Sequence, residues 1–301
     1  MKPVVKLLLC TALAVCSGAS LHAQVGNMED SILRQYERKD NVDATDREYE
    51  NAVRTNAQYA TMRLSNGDLY EGYIIDGLPN GTGTRRYANG LRYEGQWLDG
   101  RRHGEGIMYQ ANGNKYYEGK WKEGIRHGEG TFYWPNGDSF EGTWVDDKRE
   151  GFGIYRMVEG DRYEGNWHND QCSGKGTSYW SNGNKLYEGE WAEGTMNGEG
   201  SLFLSDGSLY YKGAFLNGRR HGVGAEFNMG NLIYYGEWQN GRRHGEGTLY
   251  APGGIKLYEG QFFEGKEHGH GTLYDHFGEV VYEGEWIHGV RTEEASAPAA
   301  E

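Results

Sequence analysis

Proline, cysteine and long apolar runs are all scarce in this chain of 301 residues. Five prolines and three cysteines are too few for a proline-rich linker protein or a disulfide-dense scaffold. Cys10 and Cys16 lie near the N-terminus, which leaves Cys172 alone in the rest of the sequence. Beyond the N-terminal segment, no apolar run approaches the ~20 residues that a membrane-spanning helix needs. The sequence therefore predicts a chain that folds without transmembrane helices.

Positive charge is also in short supply. The chain has 31 lysines and arginines against 44 aspartates and glutamates, which gives a net charge of −13. So acidic a chain repels phosphate backbones and anionic lipids through its overall field, and we predict no nucleic-acid partner. A local basic strip remains compatible with this composition.

Residues 1–23 have the pattern of a secretory signal peptide. Two lysines are followed by the short apolar run Leu7–Val15 and by the small-residue stretch Ser17–Ala23. We predict cleavage after Ala23, with cleavage near Ala19 or Ser20 as the alternative. The protein is therefore expected to be exported to a periplasmic, cell-surface or extracellular location.

Residues 24–58 are polar and precede the regular part of the chain. Thr45 and Glu48 form a capping-box pattern, and apolar residues come after it near helical spacing. We predict a short helix that ends near Asn56 and caps the regular part of the chain, with an unpacked linker helix as the alternative. Residues 292–301 are acidic and rich in alanine, and we predict that they are disordered.

Glycine and aromatic residues are abundant, and both recur at fixed intervals. The chain contains 49 glycines and 14% aromatic residues. The segment YEGQW begins at Tyr93 and recurs as YEGKW at Tyr117, with further copies 23 or 24 residues apart up to Tyr282. With an earlier copy at Tyr70, the sequence holds ten. Such a period indicates an array of small units that bury their apolar faces against their neighbours.

Alternation within each copy predicts β-strands, because Tyr93 and Trp97 fall on one face of an extended segment. Asn-Gly pairs, such as the one at Asn112, predict tight turns, and Gly100–Gly104 predicts a looser turn at the opposite end. For residues 59–291 we therefore predict an all-β fold. It is an elongated array of β-hairpin repeats that forms a twisted antiparallel meander sheet, preceded by the short N-terminal helix.

Three positions of the repeat form columns when the copies are aligned. One column is aromatic from Tyr70 to Tyr282, a second is aromatic from Tyr73 to Trp286, and the position between them is always glycine. Glycine weakens a strand, but its missing side chain leaves room for a ring from the neighbouring strand to lie over the backbone. Buried rings contribute ~2–3 kcal/mol each, so we predict that the aromatic ladder dominates the stability.

With these columns the chain resembles the MORN (membrane occupation and recognition nexus) repeat family, whose unit reads roughly YxGxWxxGxxHGxG. The resemblance covers about Tyr59–Gly289. It implies a hairpin array with a grooved sheet, and a role in lipid head-group binding, protein scaffolding or dimerisation. The middle copies depart from the pattern: Asp147 and Asp170 replace the turn glycine, and Glu150 replaces the histidine. We expect bends or altered partner contacts there.

The repeated polar residues predict neither a metal site nor an active site. Five histidines share one position of the repeat: His103, His127, His221, His244 and His268. Copies two strands apart lie about 9–10 Å from each other, too far for ligands bound ~2 Å from one zinc ion. We interpret these histidines as partners of backbone groups. A glutamate that recurs in eight copies reads as structure, and no catalytic motif is present, so we predict no enzyme activity, metal or cofactor.

Two sets of side chains are the candidate binding residues. The rings expected to line the groove are Tyr93, Trp97, Tyr117, Trp121, Trp144, Tyr163, Trp167, Tyr187, Trp191, Tyr211 and Trp238. A basic turn edge contains Arg219, Arg220, Arg242 and Arg243. The leading hypothesis is an exported, non-enzymatic scaffold that binds an unidentified protein or peptide, or a second copy of itself, along the groove. Lipid head-group binding at the basic edge and glycan binding by the aromatic row are the alternatives.

Overall fold

The computed structural model describes residues 56–292, and its regular elements are 21 β-strands. The predicted signal peptide, the predicted helix up to residue 55 and the tail from residue 293 lie outside the described residues. No helix within residues 56–292 is long and apolar enough to cross a membrane. In chain order the strands are β1 (Gln58–Arg63), β2 (Leu69–Ile75), β3 (Leu78–Arg86), β4 (Arg92–Leu98), β5 (Arg101–Tyr109), β6 (Lys115–Lys122), β7 (Ile125–Tyr133), β8 (Ser139–Val145), β9 (Lys148–Arg156), β10 (Arg162–His168), β11 (Gln171–Tyr179), β12 (Lys185–Ala192), β13 (Thr195–Phe203), β14 (Leu209–Leu216), β15 (Arg219–Asn228), β16 (Asn231–Gln239), β17 (Arg242–Tyr250), β18 (Lys256–Phe263), β19 (Lys266–Tyr274), β20 (Val280–Ile287) and β21 (Val290–Arg291).

These strands belong to two compact units. The N-terminal unit contains described residues 56–158 and 166–171, with β1–β9, and the C-terminal unit contains 159–165 and 172–292, with most of β11 and all of β12–β21. Within each unit, every strand pairs antiparallel with the strand that precedes it in the chain. Each unit is thus a meander of β-hairpins, which confirms the predicted all-β hairpin array.

The two kinds of turn are the reverse of what we predicted. β4 and β5 are joined only by Asp99 and Gly100, whose φ angles of 47° and 79° belong to a tight type I′ turn. The Asn-Gly connection between β5 and β6 is longer and spans residues 110–114. In this connection, Oδ1 of Asn112 accepts a hydrogen bond from the Asn114 amide at 2.9 Å, which explains the asparagine at this position. Gly104 lies in a β-bulge with φ 55°, where the pairing of β4 and β5 shifts.

A row of glycines crosses the sheet of each unit. In the N-terminal unit, Gly95 lies opposite Gly83 on one side and Gly106 on the other. The ring of Tyr93 covers this row, since a Cβ on Gly106 would lie 2.1 Å from its Oη and one on Gly95 2.6 Å from it. Each ring therefore lies over a glycine of the neighbouring strand, as predicted, and also over the glycine two residues further along its own strand.

Candidate functional site

The aromatic columns form the core of each unit instead of lining an open groove. The eleven rings that were binding candidates are each at most 3% exposed: Tyr93, Trp97, Tyr117, Trp121, Trp144, Tyr163, Trp167, Tyr187, Trp191, Tyr211 and Trp238. They alternate edge to face; the ring centres of Tyr93 lie 5.0 Å from Trp97 and 5.5 Å from Trp121, with nearly perpendicular planes. The same alternation runs through the C-terminal unit from Tyr163 to Tyr282. Packing therefore leaves no ring face of these residues for a ligand.

The polar atoms of these rings are engaged as well. The hydroxyl of Tyr93 donates to the carbonyl of Gln96 at 2.9 Å, and Nε1 of Trp97 donates to the carbonyl of Gly83 at 3.1 Å. Equivalent bonds recur in later copies. Burial also raises the pKa of Tyr187 above its ordinary value, so this hydroxyl stays protonated. The polar atoms of these rings therefore serve the fold, as their ring faces do.

The arginines of the predicted basic edge divide into a half-buried and an exposed set, because successive side chains of a strand point to opposite faces. The guanidinium of Arg220 lies 3.8 Å from the ring centre of Trp238, and its side chain is only 14% exposed. Arg243 is 24% exposed, whereas Arg242 is 63% exposed and lies 3.4 Å from Glu264. Arg219 is exposed. The edge thus presents two of the four predicted cations.

Glu226 holds the two inward arginines in a buried ion cluster. Its carboxylate oxygens lie 2.9 Å from Nη1 of Arg220 and 2.7 Å from Nη2 of Arg243, and the hydroxyl of Tyr210 donates to it at 3.2 Å. Burial alone would raise the pKa of Glu226, but the two guanidinium groups hold it below its ordinary value. These charges satisfy one another, so the cluster is structural.

The histidine position faces the turn of the following copy. Glu150 occupies it in a middle copy and accepts a hydrogen bond from the Asn169 amide at 3.1 Å. Nδ1 of His268 lies 3.5 Å from the amide of His288 in the equivalent arrangement. These contacts fit our interpretation for Glu150 and His268, whereas Nδ1 of His127 has no hydrogen-bond partner in the described part of the chain, so the role is not common to the whole position. No group of three or more histidine, cysteine, aspartate or glutamate side chains suited to a metal occurs in residues 56–292.

The glutamate column lies among surface ion pairs. Nζ of Lys185 is 2.8 Å from Glu188, and Nζ of Lys256 is 2.8 Å from Glu259. Exposed pairs of this kind add at most about 1 kcal/mol each to stability. These carboxylates therefore form exposed ion pairs that add little to stability.

Within residues 56–292, the edge of β20 is only partly paired, and apolar side chains are exposed there. β20 pairs with β19 over Val280–Trp286, but with β21 only at Trp286 and Ile287. The strand has no lysine or proline to blunt its edge. Phe277, Val280, Val281, Ile287 and Val290 are all more than half exposed. The repeat period gives no signal for this exposure.

Geometry and repeat together define a class of protein, the array of β-hairpin repeats stacked on a glycine–aromatic core. The family model described as the MORN repeat matches ten copies, at residues 70–92, 93–115, 117–139, 140–162, 163–185, 187–209, 211–231, 234–255, 258–275 and 282–292. The chain therefore belongs to the MORN repeat family.

Other comparisons add little to this assignment. Comparison with curated proteins gives no match. Among solved structures, BamB from Moraxella catarrhalis matches with 9% identity over 77% of this chain and 73% of that chain. The TM-score is 0.15, so this likeness carries no argument about fold or function.

Proposed function

We propose that this MORN protein is a non-enzymatic interaction scaffold whose strand β20 accepts an extended segment of a protein partner. The observation that carries the proposal is the incomplete last repeat, since β21 has 2 residues where β19 has 9. The carbonyl of Glu285 accepts a hydrogen bond from the Thr292 amide at 3.0 Å, and the backbone of β20 before it supplies hydrogen bonds for strand addition. Val280 and Val281 supply apolar contacts.

The geometry of complete repeats indicates what such a segment must contain. In the preceding copy, Gly271 lies opposite Gly260 and beneath the ring of Tyr258; a Cβ on Gly271 would lie 2.1 Å from its Oη. Tyr282 is the corresponding ring of the last copy. A partner strand therefore fits with glycine opposite Gly284, and larger residues at that point collide with the ring. The exposed Glu283 and Glu285 favour basic residues beside that glycine.

The other partners expected from the sequence have less support. Glycan binding relied on the aromatic row, whose rings are buried. Lipid head-group binding retains Arg219 and Arg242, but Arg242 is already close to Glu264. A second copy of the chain is a protein partner too, and the mass of the protein in solution distinguishes it from a different protein.

A peptide copied from this chain tests the proposal. RRHGEGTLY repeats Arg242–Tyr250, which contains the second-strand pattern that the last copy lacks and whose Gly247 lies opposite Gly236. We expect the labelled peptide to bind the full chain in a fluorescence anisotropy titration, with displacement of the short β21. Gly247→Ala in the peptide should weaken binding at least about tenfold, because the added methyl group meets the ring of Tyr282.

Two protein variants locate the binding. Val281→Lys places a charge on β20 and should weaken binding of the peptide, whereas Val223→Lys changes an equally exposed valine in the interior strand β15 and should not. Equal binding of the glycine and alanine peptides, or equal effects of the two lysine variants, contradicts the proposal.

We also propose that the protein acts after export, on the basis of the pattern in residues 1–23. Protein recovered from its own cells should begin at Gln24, as read by N-terminal sequencing. Recovery of the chain with residues 1–23 still attached contradicts export by this route.

A further inference from the structure

In the C-terminal unit, the sheet carries an apolar strip on its outer face, which is the face opposite the aromatic core. The apolar strip consists of Leu209, Ala214 and Leu216 of β14 and Val223, Ala225 and Phe227 of β15. Ala214 and Leu216 flank the buried ring of Phe215 and therefore point away from the core, and Ala225 and Phe227 flank the buried Glu226 in the same way. Val223 is 50% exposed and Leu216 44% exposed.

The apolar strip is particular to these copies of the repeat. Val223 stands where four other copies have a glutamate: Glu105, Glu129, Glu199 and Glu246. Leu209 stands where the preceding copy has Lys185, whose Nζ lies 2.8 Å from the exposed Glu188. Tyr235 on β16 is one of the two residues that interrupt the glutamate column. The repeat folds with polar residues at these positions, so the apolar ones indicate a contact beyond the repeat.

The dimensions of the apolar strip fit an α-helix. From Leu209 to Leu216 the strand spans about 23 Å, and two neighbouring strands are about 10 Å wide. An α-helix is about 10–12 Å across with its side chains and rises about 1.5 Å per residue, so a helix of about 15 residues covers the strip. A helix is also one of the two elements that cover an apolar sheet face in layered folds, the other being a second sheet.

Glutamates border the apolar strip on both sides. Glu199 on β13 lies opposite β14, and Glu237 on β16 lies opposite β15. Glu190 and Glu246 continue these borders on the next strands, and all four are exposed. A helix with lysine or arginine beside its apolar stripe is therefore complementary in charge to the strip.

The charges also distinguish a helix from a second copy of this sheet. A second copy would bring its own Glu199 and Glu237 against the same face, and like charges repel across an interface. Lys212 and Arg219 are exposed cations on β14 and β15, but the four border glutamates outnumber them.

We propose that the apolar strip binds a basic amphipathic α-helix of a partner protein. The helix lies along β14 and β15, with its apolar stripe against Val223 and Phe227 and its basic residues beside Glu199 and Glu237. This surface is separate from β20, so it goes beyond strand addition and does not depend on it.

A synthetic peptide tests the proposal with the full chain. The labelled peptide has about 15 residues, with leucines at helical spacing on one face and lysines at the other positions. We expect saturable binding in a fluorescence anisotropy titration. A scrambled peptide of the same composition, with its leucines spread around the helix, should bind at least about tenfold more weakly. Equal affinity of the two peptides means attraction by charge alone and overturns the proposal.

Val223→Glu locates the binding, and it keeps the fold because other copies have glutamate at this position. The added negative charge alone would attract the lysine peptide, whereas loss of the apolar contact should weaken binding at least about tenfold. Phe152→Glu is the matched control: Phe152 is 59% exposed and occupies the same repeat position in the N-terminal unit, so its replacement should not weaken binding.

Three results contradict the assignment to a helix. Val223→Glu could bind the peptide as tightly as the wild type, or Phe152→Glu could weaken binding equally. The third is a wild-type dimer in light scattering that Val223→Glu converts to a monomer, because a second copy would then cover the apolar strip.

Discussion

Single missing methyl groups set the positions of the largest side chains in this protein. Gly106 has a φ outside the left-handed region, so space and not backbone conformation requires glycine there. A Cβ at this residue would lie 2.1 Å from Oη of Tyr93, and both the ring and the paired strand are held by close packing. We expect Gly106→Ala to lower the free energy of unfolding by about 3 kcal/mol, as measured by urea denaturation.

Two controls separate crowding from other effects at this glycine. Gly113→Ala has nothing within 4 Å of the new Cβ but a φ of 86°, so it should cost only roughly 1 kcal/mol of conformational strain. In a Tyr93→Ala background, Gly106→Ala should cost much less than in the wild type. Additive effects of the two substitutions would show that the ring does not require the glycine.

Glu226 predicts how stability depends on pH. Its pKa in the folded protein is below the ordinary value of 4.5, because the attraction of Arg220 and Arg243 outweighs the effect of burial. Its contribution is therefore fully present above about pH 4.5 and is lost as the pH falls through the lower folded-state value. We expect Glu226→Gln to be about 3 kcal/mol less stable than the wild type at neutral pH.

The same comparison at low pH checks the sign. Below the folded-state pKa the carboxyl group is protonated, so the wild type and Glu226→Gln should have nearly equal free energies of unfolding by denaturant. A difference that stays constant from neutral to acidic pH would mean that the charge of Glu226 does not stabilise the fold.

At the scale of elements, the departures from the repeat pattern have a local cause. Asp147 stands in a turn where other copies have glycine, with φ 66°. Its Oδ1 accepts hydrogen bonds from the Arg126 amide at 2.8 Å and from Arg126 Nε at 3.0 Å. Asp170 makes the same contacts with Arg149. The aspartates therefore supply a carboxylate to a buried arginine, and the sequence period alone cannot show this.

Opposing effects of Asp147→Gly can be weighed by size. Relief of the left-handed conformation gains about 1 kcal/mol, while loss of the buried carboxylate beside Arg126 costs about 3 kcal/mol. Because Arg126 retains its bond from Nη2 to the backbone carbonyl of residue 147, at 3.1 Å, we expect a net destabilisation of about 2 kcal/mol. Thermal unfolding measures this, and a more stable Asp147→Gly would show that strain dominates.

Sequence patterns predicted strands and faces better than turns and surfaces. Alternation placed Tyr93 and Trp97 on one face because the period of a strand is set by backbone geometry alone. The prediction interchanged the tight and the longer turns. Asn112 accepts a side-chain hydrogen bond in the longer turn, and Asp99 adopts in the tight turn the positive φ usually found for glycine or asparagine. The period grouped the candidate rings into columns, but it did not show that they are buried, because burial depends on packing between copies, which one copy does not reveal.

At the scale of the whole molecule, stability is expected to depend on neighbours in the repeat. Rings of the first column contact one aromatic ring of their own copy and one of the next, as Tyr117 does with Trp121 and Trp144 at 4.9 and 5.7 Å. In such an array, a copy can be removed if the copies on either side can replace its contacts. Whether the array folds then depends on whether a deletion removes whole copies and keeps the repeat in register, and not on the total length of the chain.

Deletion of residues 117–139 tests this dependence on phase within the N-terminal unit. The deletion removes one matched copy and brings Trp144 to the place of Trp121 beside Tyr93, and Asp147 to the place of Gly124 beside Arg102. We expect a folded protein with native near-ultraviolet circular dichroism. Deletion of residues 117–128 removes about half a copy and places β5 beside the rest of β7, both of them second strands of their copies, so Gly130 loses the ring of Tyr117 that covers it. This shorter deletion should abolish cooperative unfolding of the unit, and a native spectrum for it would show that the aromatic ladder does not determine the fold.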